Sequence, residues 1–203
     1  SVTLTEELQR QARAALGFPI VFEILDGLSC QRRGVLSPDS YDVYDQWFHS
    51  LDLLWTAGSI QPLETGRITR WPQVRVAGAA TAAGQAFGTR PNELLYVQPD
   101  RTLGPQPDMR DGPRIAMLPT TYNVDSFAYS PEVSRMLRPA ESESWAWLLD
   151  DRWHGRCALS LDPAASAVEL ALAARAAGLV NVADPGDLTI EEIDALFCRP
   201  NCA

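Results

Sequence analysis

The chain has 203 residues, of which 46% are hydrophobic and six are Trp, a composition that excludes a disordered protein and allows a sizeable core. The net charge of −9 disfavours nucleic acid and anionic membranes as partners, because both are negatively charged. No run of about 18 apolar residues is present, so the sequence predicts no membrane-spanning helix.

The first elements are predicted from capping and from apolar periodicity. A capping box at residues 3–6, followed by apolar residues at every fourth position, predicts a helix that ends at Gly17. Apolar side chains alternate over residues 18–25, which predicts a strand covered on at least one face. Asp26 and Gly27 then predict a turn.

The next elements are shorter. Residues 37–39 predict a turn, and residues 41–45 predict a short strand. Residues 47–57 predict a helix that ends before Gly58. Residues 60–63 predict a short extended segment.

The centre of the sequence is rich in Gly, Ala, Pro and Gln. Residues 76–113 predict a long connection without regular structure, and connections of that length are usually functional or mobile. A strand is predicted at 114–118, followed by the polar and aromatic segment 120–129. A helix at 144–150 and a turn at 151–155 come next.

The most complete local unit lies in the last third of the chain. Residues 156–161 predict a buried strand, Asp162 suits an N-cap, Pro163 suits the first helical position and Gly178 suits the helix end. This unit would place a carboxylate at the carboxyl end of a strand, the edge where open α/β sheets bind ligands. A second short helix is predicted behind Thr189.

The sequence contains no motif for a metal, a cofactor or catalysis. The four cysteines lack zinc-site spacing, although Cys198 and Cys202 are close enough to pair in an oxidising compartment. The two histidines, His49 and His154, also lack metal-ligand spacing. Since a Walker A loop, a Gly-x-Ser-x-Gly elbow and a Gly-x-Gly-x-x-Gly turn are all missing, we expect no cofactor and no enzyme activity.

The sequence contains several short motifs, each of which is weak evidence for a family. Their order along the chain is the stronger evidence. They are the polar and aromatic run 41–48, the helix end and return 55–63, the segment 118–129, and the run from Ser144-Trp145 through Trp153-His-Gly-Arg to Asp162, with Asp184-Pro185 behind it. Together they resemble the spermidine/putrescine-type periplasmic solute-binding proteins of ABC transporters.

The resemblance implies an α/β, periplasmic-binding-protein-like fold of two lobes with a cleft between them. Residues 1–117 would form the first lobe without its first strand, 118–143 the hinge and crossover, and 144–203 the opening part of the second lobe. The chain would then be a fragment. The implied function is the solute-binding component of an ABC importer, located in the periplasm, with the membrane permease as its partner.

The resemblance also implies a ligand and a set of side chains. The ligand would be a small polar or cationic, polyamine-like molecule, held by aromatic faces and by carboxylates. The predicted ligand-binding residues are Tyr44, Asp45, Trp47, Tyr122, Asp125 and Asp162.

Five of these six residues have a plainer alternative. Asp45 and Asp162 suit helix caps, and Trp47 suits a packing position beneath a helix. Tyr122 suits hinge packing, and Asp125 suits a turn hydrogen bond.

Two alternatives to the transport function also stay open. One is an α/β enzyme of hydrolase or transferase type whose catalytic groups lie in the segment 76–113. The other is an interaction domain that has the same fold and binds no solute. The sequence leaves the oligomeric state open.

Overall fold

A computed structural model gives the fold and describes residues 4–76, 88, 90–108, 112–121, 126–137 and 141–197. The chain divides into two compact units, Ser1–Gly78 with Pro91–Asn123, and Ala79–Arg90 with Val124–Ala203. Helices and one small antiparallel sheet make up the regular structure of the described residues, which is compatible with the predicted α/β class, whereas the periplasmic-binding-protein-like fold stays a prediction. The division into lobes at 117 and 143 stays a prediction.

The first unit contains four helices within its described residues: α1 (Glu6–Ala15), α2 (Gly27–Leu36), α3 (Leu51–Thr56) and α4 (Pro91–Leu94). Thr5 caps α1, since its Oγ1 accepts a hydrogen bond from the Leu8 backbone N–H at 3.3 Å. The predicted turn at Asp26 is instead the N-cap of α2, where Asp26 Oδ1 accepts from the Ser29 N–H at 2.9 Å.

The sheet lies entirely in the first unit and consists of two-residue strands. They are β1 (Leu63–Glu64), β2 (Tyr96–Val97), β3 (Leu103–Gly104) and β4 (Arg114–Ile115), in the antiparallel order β1-β4-β2-β3. In register, Leu63 pairs with Ile115, and Tyr96 pairs with both Ile115 and Gly104. The core around the sheet is formed by the buried side chains of Leu51, Leu95, Tyr96, Val97, Ile115 and Ala116.

Three sequence predictions for this unit are wrong. Residues 18–25 and 41–45 lie outside any strand, and α4, β2 and β3 lie inside the segment 76–113 that predicted no regular structure. The alternating segment 18–25 finds no strand partner among the described residues, and Val21 is 91% exposed. The segment does make a local side-chain contact, since the Arg13 guanidinium lies 5.1 Å from the centre of the Phe22 ring.

The second unit has α5 (Pro131–Met136), α6 (Pro163–Ala176) and α7 (Ile190–Phe197), with 3₁₀ turns at Trp145–Leu149 and Asp151–Trp153. Helix α6 packs on the Trp145–Leu149 turn, and its buried residues Ala171, Ala173 and Ala174 are small enough for close approach. Trp145 and Trp147 in this turn contact the rings of Phe127 and Tyr129, and the four contacting pairs have centroids 5.2–6.2 Å apart.

The predicted buried strand at 156–161 is also wrong. These residues are exposed and lie in no strand, and Leu161 is fully exposed. The Ser160 N–H donates to Glu169 Oε2 of α6 at 3.0 Å, so a helix side chain takes the place of a strand partner. The helix that follows is confirmed, because α6 begins behind Asp162 and ends before Gly178, whose φ of +68° is typical of a helix end.

The short helix behind Thr189 is confirmed as α7. No helix within the described ranges combines the length and apolar character that crossing a membrane requires.

Candidate functional site

The structure distributes the predicted ligand-binding residues between the two units. Tyr44, Asp45 and Trp47 lie together in the segment 41–50 of the first unit, which we call the 41–50 loop. Asp162 lies in the second unit, directly before α6. Tyr122 and Asp125 lie outside the described residues.

The 41–50 loop packs on a face of α2 that carries two glycines. Gly27 and Gly34 are seven residues apart, so they lie on the same side of the helix. A Cβ atom on Gly34 would lie 2.9 Å from Cζ of Tyr44 and 2.7 Å from Cδ2 of Leu54. The absence of a side chain at Gly34 therefore makes room for the Tyr44 ring.

Tyr44 is half-buried in this contact. Its hydroxyl oxygen accepts from Gln46 Nε2 at 3.4 Å, and its ring centroid lies 5.2 Å from that of Tyr41. Burial raises the pKa of Tyr44 far above the ordinary tyrosine value, so its phenol stays protonated at neutral pH. A direct role of Tyr44 in ligand binding stays a prediction.

The Trp47 side chain packs against α2 at its ring edge and against His49, and it remains half-exposed to solvent. A Cβ on Gly27 would lie 2.0 Å from Cη2 of Trp47, so the ring edge lies directly against the start of α2. The indole stacks on His49 with centroids 5.3 Å apart and an angle of 26° between the planes. Since 46% of Trp47 remains exposed, the loop presents an aromatic surface to solvent.

Gln46 joins the loop to the helix. Its Nε2 donates to the Gly27 carbonyl oxygen at 2.8 Å, and its Oε1 accepts from the Trp47 backbone N–H at 3.0 Å. Both hydrogen bonds restrict the residue that carries the exposed ring. The backbone of Trp47 is therefore tied through Gln46 to the start of α2.

Asp45 precedes this ring and is exposed. The first helical turn after it begins at Phe48, with Trp47 at the N-cap position and no side-chain capping bond. The predicted cap role of Asp45 at residue 46 or 47 is therefore wrong. Its backbone carbonyl oxygen accepts a weak hydrogen bond from Cys30 Sγ at 3.8 Å, and burial raises the pKa of that thiol.

Asp162 caps α6, as predicted. Its Oδ1 accepts from the Ala165 N–H at 2.8 Å, and Pro163 occupies the first helical position. A carboxylate at a helix N-terminus is also stabilised by the helix dipole. The ligand-binding role of Asp162 stays a prediction.

Sequence reasoning missed a pocket in the second unit. It has a volume of about 190 Å³, and its lining includes Leu148, Asp151, Trp153 and His154. The sequence predicts only a turn at 151–155, and a turn pattern gives no sign of a pocket. Within the described residues, no group of three His, Cys, Asp or Glu side chains is placed to hold a metal ion.

Comparisons with protein-family models, with curated proteins and with solved structures found no match.

Proposed function

We propose that the protein binds a small polar, cationic solute and serves as the solute-binding component of an ABC importer. The observation that carries the proposal is Trp47, which is 46% exposed, held on α2 and located two residues after the exposed Asp45. An aromatic ring and a carboxylate two residues apart in one loop are residue types suited to an ammonium group. The net charge of −9 further favours a cation over an anion.

The order of the sequence motifs supports the transport part of the proposal. Residues 41–48, 55–63 and 144–162 follow one another as in the solute-binding proteins that they resemble. Binding in a cleft between two lobes, a location in the periplasm and a membrane permease as partner belong to the same proposal. Closure of the lobes requires that the ligand bind the closed state more tightly than the open one.

The proposed contacts have modest individual energies. A cation over the Trp47 ring contributes about 0.5–2 kcal/mol, depending on how far it is desolvated. A charge-assisted hydrogen bond to Asp45 contributes about 1.5–3 kcal/mol. Several such contacts are needed for tight binding, so we expect a strong dependence of affinity on both side chains.

Titration calorimetry with putrescine, glycine and glucose tests this function. We expect saturable binding of the diamine without turnover, a loss of affinity of about 1–3 kcal/mol in Asp45→Asn, and partial retention of affinity in Trp47→Phe. Asp52→Asn is the matched control, because Asp52 is also an exposed acid in the same unit. Equal losses in Asp45→Asn and Asp52→Asn, or formation of a product, would contradict the proposal.

A further inference from the structure

Residues 18–25, which we call the linking segment, connect α1 to α2. The backbone runs without a turn or bend from residue 19 to residue 26, and every φ angle in the segment is negative, as in a strand. Among the described residues, no backbone N–H or carbonyl group of the segment makes a hydrogen bond. A segment of this kind can pair with another strand, as exposed edge strands do.

Much of the side-chain surface of the linking segment is exposed and apolar. Phe18 is 62% exposed, Val21 is 91% exposed and Ile24 is 50% exposed. Exposed apolar residues that lie close together, unlike scattered ones, mark interaction surfaces. Because the unpaired backbone groups belong to the same segment, this surface suits an extended strand better than a helix or a small molecule.

The charge of the linking segment indicates which strand it accepts. Glu23 is its only charged residue, and the Glu23 carboxylate forms an ion pair with the Arg33 guanidinium of α2. This internal pair offsets the one charge in the segment. A second copy of the segment therefore meets no like-charge repulsion there, and it brings the same apolar residues and the same unpaired backbone groups.

We propose that two copies of the protein associate by pairing their linking segments as antiparallel strands, with a two-fold axis at Val21. This register places Glu23 opposite Pro19 of the other copy, whereas a parallel pairing in register would bring the two Glu23 carboxylates together. Both copies then use the same surface, as a two-fold dimer requires.

Pro19 determines the hydrogen-bond pattern of this pairing. It has no N–H, so its pair with Glu23 is a non-hydrogen-bonded pair of the antiparallel ladder, and so is the pair of Val21 with its own copy. Residues 20 and 22, and residues 18 and 24, then exchange backbone hydrogen bonds, about eight in total. The pairing would thus supply partners for backbone groups that have none within the described part of the chain.

The same register pairs aromatic with β-branched side chains. Phe22 of one copy faces Ile20 of the other, and this combination stabilises strand pairing. Phe18 faces Ile24 in the same way. Since an isolated pair of strands is only marginally stable, we expect a weak, reversible dimer whose population rises with protein concentration.

Sedimentation velocity of the wild type from about 1 μM to about 1 mM tests this association. Val21→Lys and Val21→Glu should each weaken the dimer about fivefold or more, because like charges would face each other at the two-fold axis. An equimolar mixture of these two variants should restore the dimer, because opposite charges then meet. Val43→Lys is the matched control, since Val43 is an 86% exposed valine elsewhere in the same unit.

Hydrogen exchange reports on the backbone pairing itself. The amides of residues 20 and 22 should exchange more slowly as the protein concentration rises, because both donate across the interface in the proposed register. The test is independent of the proposed solute, since no predicted ligand-binding residue lies in the linking segment.

Four results would overturn the proposal. The first is a wild type that stays monomeric over the whole concentration range. The second is an equal loss of dimer in Val21→Lys and Val43→Lys. The third is a mixture of the two Val21 variants that remains as monomeric as each variant alone, and the fourth is amide exchange at residues 20 and 22 that does not change with concentration.

Discussion

The edge of the Trp47 indole occupies the space that a side chain at Gly27 would need, since a Cβ there would lie 2.0 Å from Cη2. Gly27 is the first residue of α2, and its carbonyl oxygen accepts from Gln46 Nε2. The helix start and the exposed ring are therefore one packing unit. A change at the glycine should alter both the stability of the unit and the position of the ring.

Gly27→Ala should destabilise the protein. The new methyl group must displace the end of the Trp47 ring, and because this ring is half-exposed and can move we expect a cost of about 1 kcal/mol, the low end for overpacking. Urea unfolding measures the change in the free energy of unfolding. Gly17→Ala is the control, because a Cβ at Gly17 meets nothing within 4 Å. Equal stability of the two variants would show that the Trp47 ring does not occupy this space.

Alkaline pH should lower stability through the contact between Tyr44 and α2. Burial raises the pKa of Tyr44 above its ordinary value of 10.0, so the unfolded chain loses this proton at lower pH than the folded chain. Stability from this group is complete below pH 10 and decreases as the pH rises towards the folded pKa.

Urea unfolding between about pH 8 and pH 11 tests this dependence. In Tyr44→Phe the alkaline loss of stability should be smaller, because the titrating phenol is gone. Cys30 continues to contribute in that variant, since burial raises its pKa above 9.0 as well. The same alkaline slope in wild type and Tyr44→Phe would place the titrating group elsewhere.

The sequence predicts helices with strong end signals and fails where an element needs a distant partner. Asp162, Pro163 and Gly178 define α6 through bonds and backbone angles within a few residues, so their pattern is sufficient. The alternation at 18–25 indicates only which side chains would share a face if a strand formed. Whether a strand forms depends on a partner that periodicity does not reveal.

The sheet and the pocket were harder to predict for related reasons. Strands of two residues, such as Tyr96–Val97, are too short to show alternation, and pairing between residues far apart in sequence defines them. The pocket depends on the hydrogen-bonded backbone turn at 150–156, which only the packed structure shows. The ligand-binding role of Trp47 stays a prediction, and its contact with Gly27 is not visible in the sequence pattern.

Two substitutions at Asp162 should separate capping from ligand binding. Asp162→Ala removes the acceptor for the Ala165 N–H and should cost about 1 kcal/mol of stability. Asp162→Asn should keep the stability, because Asn caps as well as Asp, and should weaken a cationic solute by about 1–3 kcal/mol. Thermal unfolding measures the first effect, and calorimetry with putrescine measures the second.

The matched control for Asp162 is Asp26→Asn, since Asp26 is the N-cap of α2 and accepts from the Ser29 N–H at 2.9 Å. It removes the same charge from the same kind of position. We expect normal solute affinity in this control. An unchanged affinity in Asp162→Asn would remove Asp162 from the proposed site and leave its capping role intact.

Acid should weaken the start of α7 through Glu192. Its carboxylate accepts from the Thr189 N–H at 2.9 Å and from the Ala183 N–H at 2.8 Å, and these bonds lower its pKa below 4.5. The folded carboxylate therefore holds its proton less tightly than the unfolded one. Stability from this group is present above pH 4.5 and is lost as the pH falls through the lowered pKa.

Glu192→Gln should reduce this acid dependence, because the amide does not titrate. Its single carbonyl oxygen can replace only one of the two carboxylate oxygens that accept from Thr189 and Ala183, so the variant should also be less stable at neutral pH. Denaturant unfolding between about pH 3 and pH 6 measures the slope. Glu191→Gln is the control: it removes the same charge from the adjacent, exposed position in the same helical turn. If both variants change the slope equally, the effect reflects net charge near α7 and not the capping bonds of Glu192.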